Sequence, residues 1–152
     1  MKNVYLLLIL IILIFPQRSE ARLFSSSYSD SSTAKNNMIK ADSLFDAGEF
    51  DSANVYFEKA AVVFENTEDW ENYIYCLSRK GRCFYKMGEF TTAIKIYEDT
   101  KTIILEKLNE KHISMVRILY YLSGGHWRLS EYNVARKYII FNHLHANITL
   151  YF

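Results

Sequence analysis

Gly88-Glu89-Phe90-Thr91-Thr92-Ala93 is the stretch on which the fold turns, because it occurs three times. Forty residues upstream stands Gly48-Glu49-Phe50-Asp51-Ser52-Ala53, and forty-two downstream stands Ser130-Glu131-Tyr132-Asn133-Val134-Ala135. Each copy joins two runs with apolar residues at helical spacing, so each marks the tight turn of a helix hairpin. Gly48 and Gly88 supply the left-handed backbone that closes the first helix of a pair. The aromatic residue two positions on plugs the hairpin mouth, and the Ala three positions after it lets the helices approach closely. A period of 40–42 residues with these contents is the signature of a repeat architecture. It speaks to architecture far more than to activity.

Working outward from the turns, the spacing predicts six helices. The first pair covers about 34–47 and 51–65, with Met38, Ala41, Leu44 and Phe45 facing Ala53, Val55, Phe57, Ala60, Ala61 and Phe64. The third helix begins near Glu68 and carries Trp70, Tyr73, Leu77, Gly81 and Phe84. The fourth, about 91–107, presents Ala93, Ile96, Tyr97, Ile103, Ile104 and Leu108. The last pair covers about 112–128 and 131–145, with Val116, Leu119, Leu122, Ala135, Ile139 and Ile140 facing inward. Gly81 stands seven residues before Gly88, where Ala41 precedes Gly48 and Ser123 precedes Ser130. Glycine costs about 1 kcal/mol inside a helix. Small residues at all three positions therefore predict that each hairpin makes its closest crossing there.

The chain resembles tetratricopeptide repeat (TPR) proteins. Their pattern is met by Ala41, Leu44, Gly48, Phe50, Ala53, Phe57 and Ala60, and again by Gly81, Phe84, Gly88, Phe90, Ala93, Tyr97 and Thr100. The third copy is Ser123, His126, Ser130, Tyr132, Ala135, Ile139 and Asn142. Leu108-Asn109-Glu110-Lys111-His112 resembles the inter-repeat link of the longer, kinesin-light-chain type, with Asn109 and Ile113 where Gly and Pro are usual. The resemblance implies an all-α fold: an α-solenoid of about three antiparallel helix hairpins in a right-handed superhelix. Its repeats cover about 34–67, 68–109 and 110–147, within an array over 34–152. No single hairpin buries its apolar face, so stability must come from stacked neighbours. The end of the chain, Tyr138-Ile139-Ile140-Phe141 and then Ile148-Thr149-Leu150-Tyr151-Phe152, has no polar outer face. The array is therefore expected to lack a C-terminal cap and to offer an apolar face for self-association.

Residues 1–21 read as a secretory signal: Lys2, the apolar run Val4–Phe15, Pro16, and small residues in Ser19-Glu20-Ala21. A twelve-residue helix spans about 18 Å, short of the ~30 Å hydrocarbon core. Cleavage before Arg22 and export (periplasmic, secreted or cell-envelope) are expected. An uncleaved anchor is the alternative, and the only route to a membrane. Residues 22–33 form a serine-rich linker. A signal, a serine-rich lead and 40–42-residue repeats also resemble the front of exported bacterial proteins with a caspase-like (CHAT) protease domain. That implies an alternative role as the truncated regulatory N-terminal region of a larger enzyme.

The formal net charge is only +1, but residues 22–69 carry four basic and nine acidic groups, and 70–152 carry twelve and seven. The overall balance argues against nucleic acid, whereas the polarity suits a charged partner or a head-to-tail neighbour. No nucleophile–base pair, phosphate loop or paired carboxylates stand out, so neither an enzyme nor a cofactor is expected. The histidines His112, His126, His143 and His145 lack metal spacing. Cys76 and Cys83 lie seven residues apart on one helix, about 10 Å, too far for a disulfide, and read as small core residues.

The resemblance places the first helix of each pair along a concave groove where extended peptides bind. Its positions are Lys35, Met38, Asp42 and Phe45 in the first pair. Tyr75, Ser78, Arg79, Arg82, Tyr85 and Lys86 follow in the second, then Arg117, Tyr120, Tyr121, Trp127 and Arg128 in the third. A basic, aromatic groove fits a protein or peptide partner with carboxylates and apolar anchors. The candidate binding residues are Tyr75, Arg79, Arg82, Tyr85, Lys86, Arg117, Tyr120, Trp127 and Arg128. The competing account is a solvated face with ordinary tyrosines.

Overall fold

A computed structural model describes residues 30–109 and 111–150, with side chains to 146. Six helices follow one another: α1 over 30–46, α2 Phe50–Asn66, α3 Trp70–Met87, α4 Phe90–Lys107, α5 Ile113–Arg128 and α6 Tyr132–Leu150. They pack in chain order as three hairpins, and α3 also touches α5. The expected signal segment lies outside the described residues. Residues 30–33, read as linker, already belong to α1. No helix among the described residues is long and apolar enough to cross a membrane.

The repeated stretches form the turns they predict. Gly48 and Gly88 have φ of 83° and 87°, and Ser130 takes the same left-handed conformation at 63°. In each turn the next N–H reaches back across the helix end: Glu49 to Leu44, Glu89 to Phe84 and Glu131 to His126, each 2.9 Å. These bonds satisfy carbonyls that a helix end otherwise leaves without partners. A fourth turn of this kind, at Glu68 (φ 55°), joins the first hairpin to the second, with Asp69 N–H bonded to the Phe64 carbonyl at 2.9 Å. Asp69 then caps α3 through Asn72 N–H, and His112 Nδ1 accepts from Ser114 N–H to start α5. Each hairpin mouth holds an edge-to-face aromatic pair: Phe45–Phe50, Tyr85–Phe90 and Trp127–Tyr132, at 5.0–5.3 Å between centroids.

Close crossing occurs where small residues predict it. Ala53, Ala93 and Ala135 are fully buried, as is Ala41. A Cβ placed on Gly81 would lie 2.3 Å from Tyr97 Cε1, so the tyrosine ring occupies the space that glycine leaves. Cys76 and Cys83 are free thiols buried with Phe57 and Phe64 in one core cluster. A second cluster gathers Ile74, Tyr97, Ile104, Ile118 and Leu122. Where hydroxyls replace the small apolar residues of this pattern, they bond their own helix: Thr100 to the Ile96 carbonyl and Ser123 to the Tyr120 carbonyl.

Two expectations about inward residues fail. Val55 is 51% exposed, because it lies two residues, about 200°, round the helix from buried Ala53. Ile139 and Ile140 are 42% and 54% exposed. Ile139 holds the position of buried Phe57 and Tyr97, but nothing among the described residues stacks over α6 as α3 and α5 stack over the earlier hairpins.

Candidate functional site

Helices α1, α3 and α5 share a trough. At one end a cleft of about 390 Å³ lies among Met38, Asp42, Glu71, Tyr75, His112 and Arg117. The middle, about 280 Å³, is bounded by Tyr75, Ser78, Arg79, Arg82, Arg117 and Tyr121. A recess of about 230 Å³ follows, among Arg82, Tyr85, Lys86, Tyr97, Tyr120, Tyr121 and Gly124. Tyr75 and Arg117 border the first two spaces, and Arg82 and Tyr121 the last two, so the three are continuous.

The α1 side of the trough is neutralised from within. Asp42 accepts hydrogen bonds from the Tyr75 hydroxyl at 3.0 and 2.9 Å and pairs with Arg79 at 2.7 Å. The Arg79 guanidinium also lies 4.1 Å over the Phe45 ring. Burial, helped by the bond to Asp42, pushes the Tyr75 phenol up to about 12, so it remains a donor. Arg79 is thus not part of a free cationic ridge, as its spacing from Arg82 and Lys86 suggests. It clamps α3 to α1.

The α5 side is different. Arg82 extends between Phe45 and Tyr121, 5.0 and 5.6 Å from their centroids. Among the described residues, Arg82, Lys86 and Arg117 have no carboxylate partner. Beside them Tyr97, Tyr121 and Tyr120 form a chain of rings, with centroids 5.2 and 5.8 Å apart. Burial raises the Tyr97 phenol well above its usual range. Gly124 contributes no side chain, and an added Cβ there would meet nothing within 4 Å. That absence leaves the recess open.

Seven of the nine predicted residues therefore line one trough: Tyr75, Arg79, Arg82, Tyr85, Lys86, Arg117 and Tyr120. Tyr85 has a second task, since its ring closes the middle hairpin against Phe90. Trp127 and Arg128 lie outside it: Trp127 packs on Tyr132 and Arg128 lies 4.9 Å over Phe90, at the hairpin mouths. The reading of individual positions missed Tyr97 and Gly124. Tyr97 rises from α4 into the trough only because Gly81 makes room, and that glycine was its one visible signal. Among the described residues no three His, Cys, Asp or Glu side chains gather to hold a metal ion.

Three stacked hairpins with left-handed turns, plugged mouths and small residues at the crossings define a TPR-like repeat fold. The structure is similar to a crystal structure of a kinesin-light-chain-like protein of Podosopora anserina that has nearly identical TPR-like repeats. The TM-score is 0.68 at 15% identity, covering 80% of this chain and 58% of the other. This chain thus spans a little over half the length of that protein, and the likeness is one of fold. No family model matches the sequence, and no curated protein matches it.

Proposed function

We propose that this protein is a non-catalytic scaffold that binds an extended acidic peptide, or an acidic segment of a partner protein, along the α1–α3–α5 trough. One observation carries the reading: Arg82, Lys86 and Arg117, with no carboxylate partner among the described residues, stand together beside the recess of Tyr85, Tyr97, Tyr120 and Tyr121. Carboxylates of the ligand meet the three cations, bidentately at the arginines. An apolar or aromatic ligand side chain enters the recess over Gly124, where rigid rings offer contact area at low entropic cost. Export through residues 1–21 belongs to the same proposal, and N-terminal sequencing of exported protein should begin at Arg22.

The test uses fluorescein-labelled extended peptides that combine Asp or Glu runs with a Phe or Leu anchor, titrated by fluorescence anisotropy. Arg82→Glu should weaken binding at least tenfold while leaving the fold intact, since the side chain is only partly buried. Lys59→Glu, on the exposed side of α2, should change it little. Affinity should fall as salt rises, because screening at about 0.15 M acts beyond roughly 8 Å. Equal effects of the two substitutions would leave the cations as an ordinary solvated face.

A further inference from the structure

Away from the trough, α4 and α6 border a second cleft, of about 340 Å³. Met115 and Leu119 of α5 floor it, and Leu105, Val134 and Phe141 line its sides, all three substantially exposed. Lys137 stands on its rim with no carboxylate partner among the described residues. Lys101, on the same rim, is held by Glu98. The cleft is thus apolar inside and positive at the edge.

The first hairpin carries its counterpart. Val55 and Val62 are about half exposed on α2, seven residues apart and so about 10 Å along one face. Asp51, Glu58 and Glu65 fall on that same face, at intervals of seven residues from one another. Glu58 forms an ion pair with Lys80 of α3, yet half of its side chain remains exposed. The two helices carry one pattern with opposite sign: Val55, Glu58 and Val62 on α2; Val134, Lys137 and Phe141 on α6. The whole chain repeats this asymmetry, with an acidic excess of five over residues 22–69 and a basic excess of five over 70–152.

We propose that a second copy of this chain docks the Val55–Val62 face of its α2 into the α4–α6 cleft. The valines then cover Leu105, Val134 and Phe141, and Glu58 of one copy faces Lys137 of the other. Both surfaces lie outside the α1–α3–α5 trough, which stays free to bind its ligand. The two patches differ, so the contact is heterologous, and each docked pair still offers one unused α2 face and one unused cleft. Head-to-tail chains or a closed ring follow from this. Opposite charges at the rims favour that pairing and disfavour cleft-to-cleft contact, which would set Lys137 against Lys137.

Intermolecular disulfide trapping tests the contact in the full chain. Copies carrying Val62→Cys are mixed under mild oxidation with differently tagged copies carrying Val134→Cys or Phe141→Cys. Native Cys76 and Cys83 are buried, so the introduced thiols are the ones available. A control partner carries Ile39→Cys, which is at least as exposed but lies on α1. Cross-linking of Val62→Cys to a cleft cysteine should exceed the control several-fold. Lys137→Glu in the cleft-bearing copy should lower the yield several-fold, and Glu58→Lys in the α2-bearing copy should restore it. Yields that match the control, or that ignore Lys137→Glu, would overturn the proposal. A loss that Glu58→Lys fails to restore would assign Lys137 another partner and overturn the docking of α2.

Discussion

Replacing Gly81 by Ala sets two effects of known size against each other. Alanine is preferred to glycine inside a helix by about 1 kcal/mol, so propensity alone favours the change. The added Cβ would sit 2.3 Å from Tyr97 Cε1 and 2.9 Å from Cδ1 and Cζ. Carbon atoms in contact prefer about 3.5–4.0 Å, so the ring must retreat by about 1 Å or more. Tyr97 is 1% exposed and its ring packs on Tyr121, so a retreat toward the recess it borders must disturb that pair. Overpacking costs about 1–3 kcal/mol, and overlap this deep belongs at the upper end. Gly81→Ala should therefore destabilise by about 1–2 kcal/mol net, lowering Tm by about 4–8 °C for a domain of this size. Gly124→Ala makes the same chemical change on α5, where the Cβ meets nothing within 4 Å. It should raise Tm by about 4 °C, propensity acting alone. Thermal unfolding followed by circular dichroism reads both variants against the parent chain. A Gly81→Ala chain as stable as the parent would refute the crossing, and with it the register that equates Gly81 with Ala41 and Ser123.

Ser130 occupies the left-handed position that glycine holds in the other two hairpins, at a cost of roughly 1–2 kcal/mol for an L-residue. Ser130→Gly, after the entropy that glycine adds to the unfolded chain, should stabilise by about 0.5–1 kcal/mol, seen as a higher urea midpoint. Burial pushes the Glu98 carboxyl up, but hydrogen bonds from Lys101 and Tyr138 outweigh it and hold the group below its ordinary 4.5. Its contribution is therefore full above the ordinary carboxylate range and lost as pH falls through the depressed value. Glu98→Gln should flatten the acid limb of stability against pH, and an unchanged limb would show that the contact joining α4 to α6 is idle. Burial pushes Cys76 up to about 12 and Cys83 up to about 11. Iodoacetamide at about pH 8 should label neither in the native chain and both in denaturant.

The hairpins were legible in the sequence because the information that makes them is local. Gly48 and Gly88 announce a backbone conformation, Phe50 and Phe90 a plug, and Ala53 and Ala93 a close approach, all within six residues. Ser130 lacks the glycine yet adopts φ 63°, since its neighbours Glu131 and Ala135 make the same backbone bonds as their counterparts. What the local pattern could not supply was the environment of an outward face. Val55 and Ile139 read as core by hydrophobicity, yet burial needs a neighbouring element: Val55 points away from α3, and α6 has nothing stacked over it among the described residues. The turn at Glu68 was hidden for a related reason. A left-handed glutamate has no compositional mark, and only the stacking of α3 on α2 selects it.

The trough shows the same limit in its charges. Equivalent positions of the three repeats hold Asp42, Arg82 and Gly124: an acid, a base and no side chain at all. Counting charges along α3 alone puts Arg79, Arg82 and Lys86 in one ridge, because spacings of three and four share a helix face. Across the repeats the sum changes. Asp42 reaches from α1 to take Arg79 and Tyr75 together, which ties the first two hairpins and leaves that part of the trough nearly neutral. Arg82, at the position of Asp42, has no carboxylate partner among the described residues, because the α5 residues at the positions of Arg79 and Tyr75 are Tyr121 and Arg117. The same substitution pattern thus closes one half of the trough and opens the other. The acidic ligand proposed above, drawn by uncompensated charge, is therefore expected over α3 and α5, where Arg82, Lys86 and Arg117 meet the tyrosine recess, and not over α1.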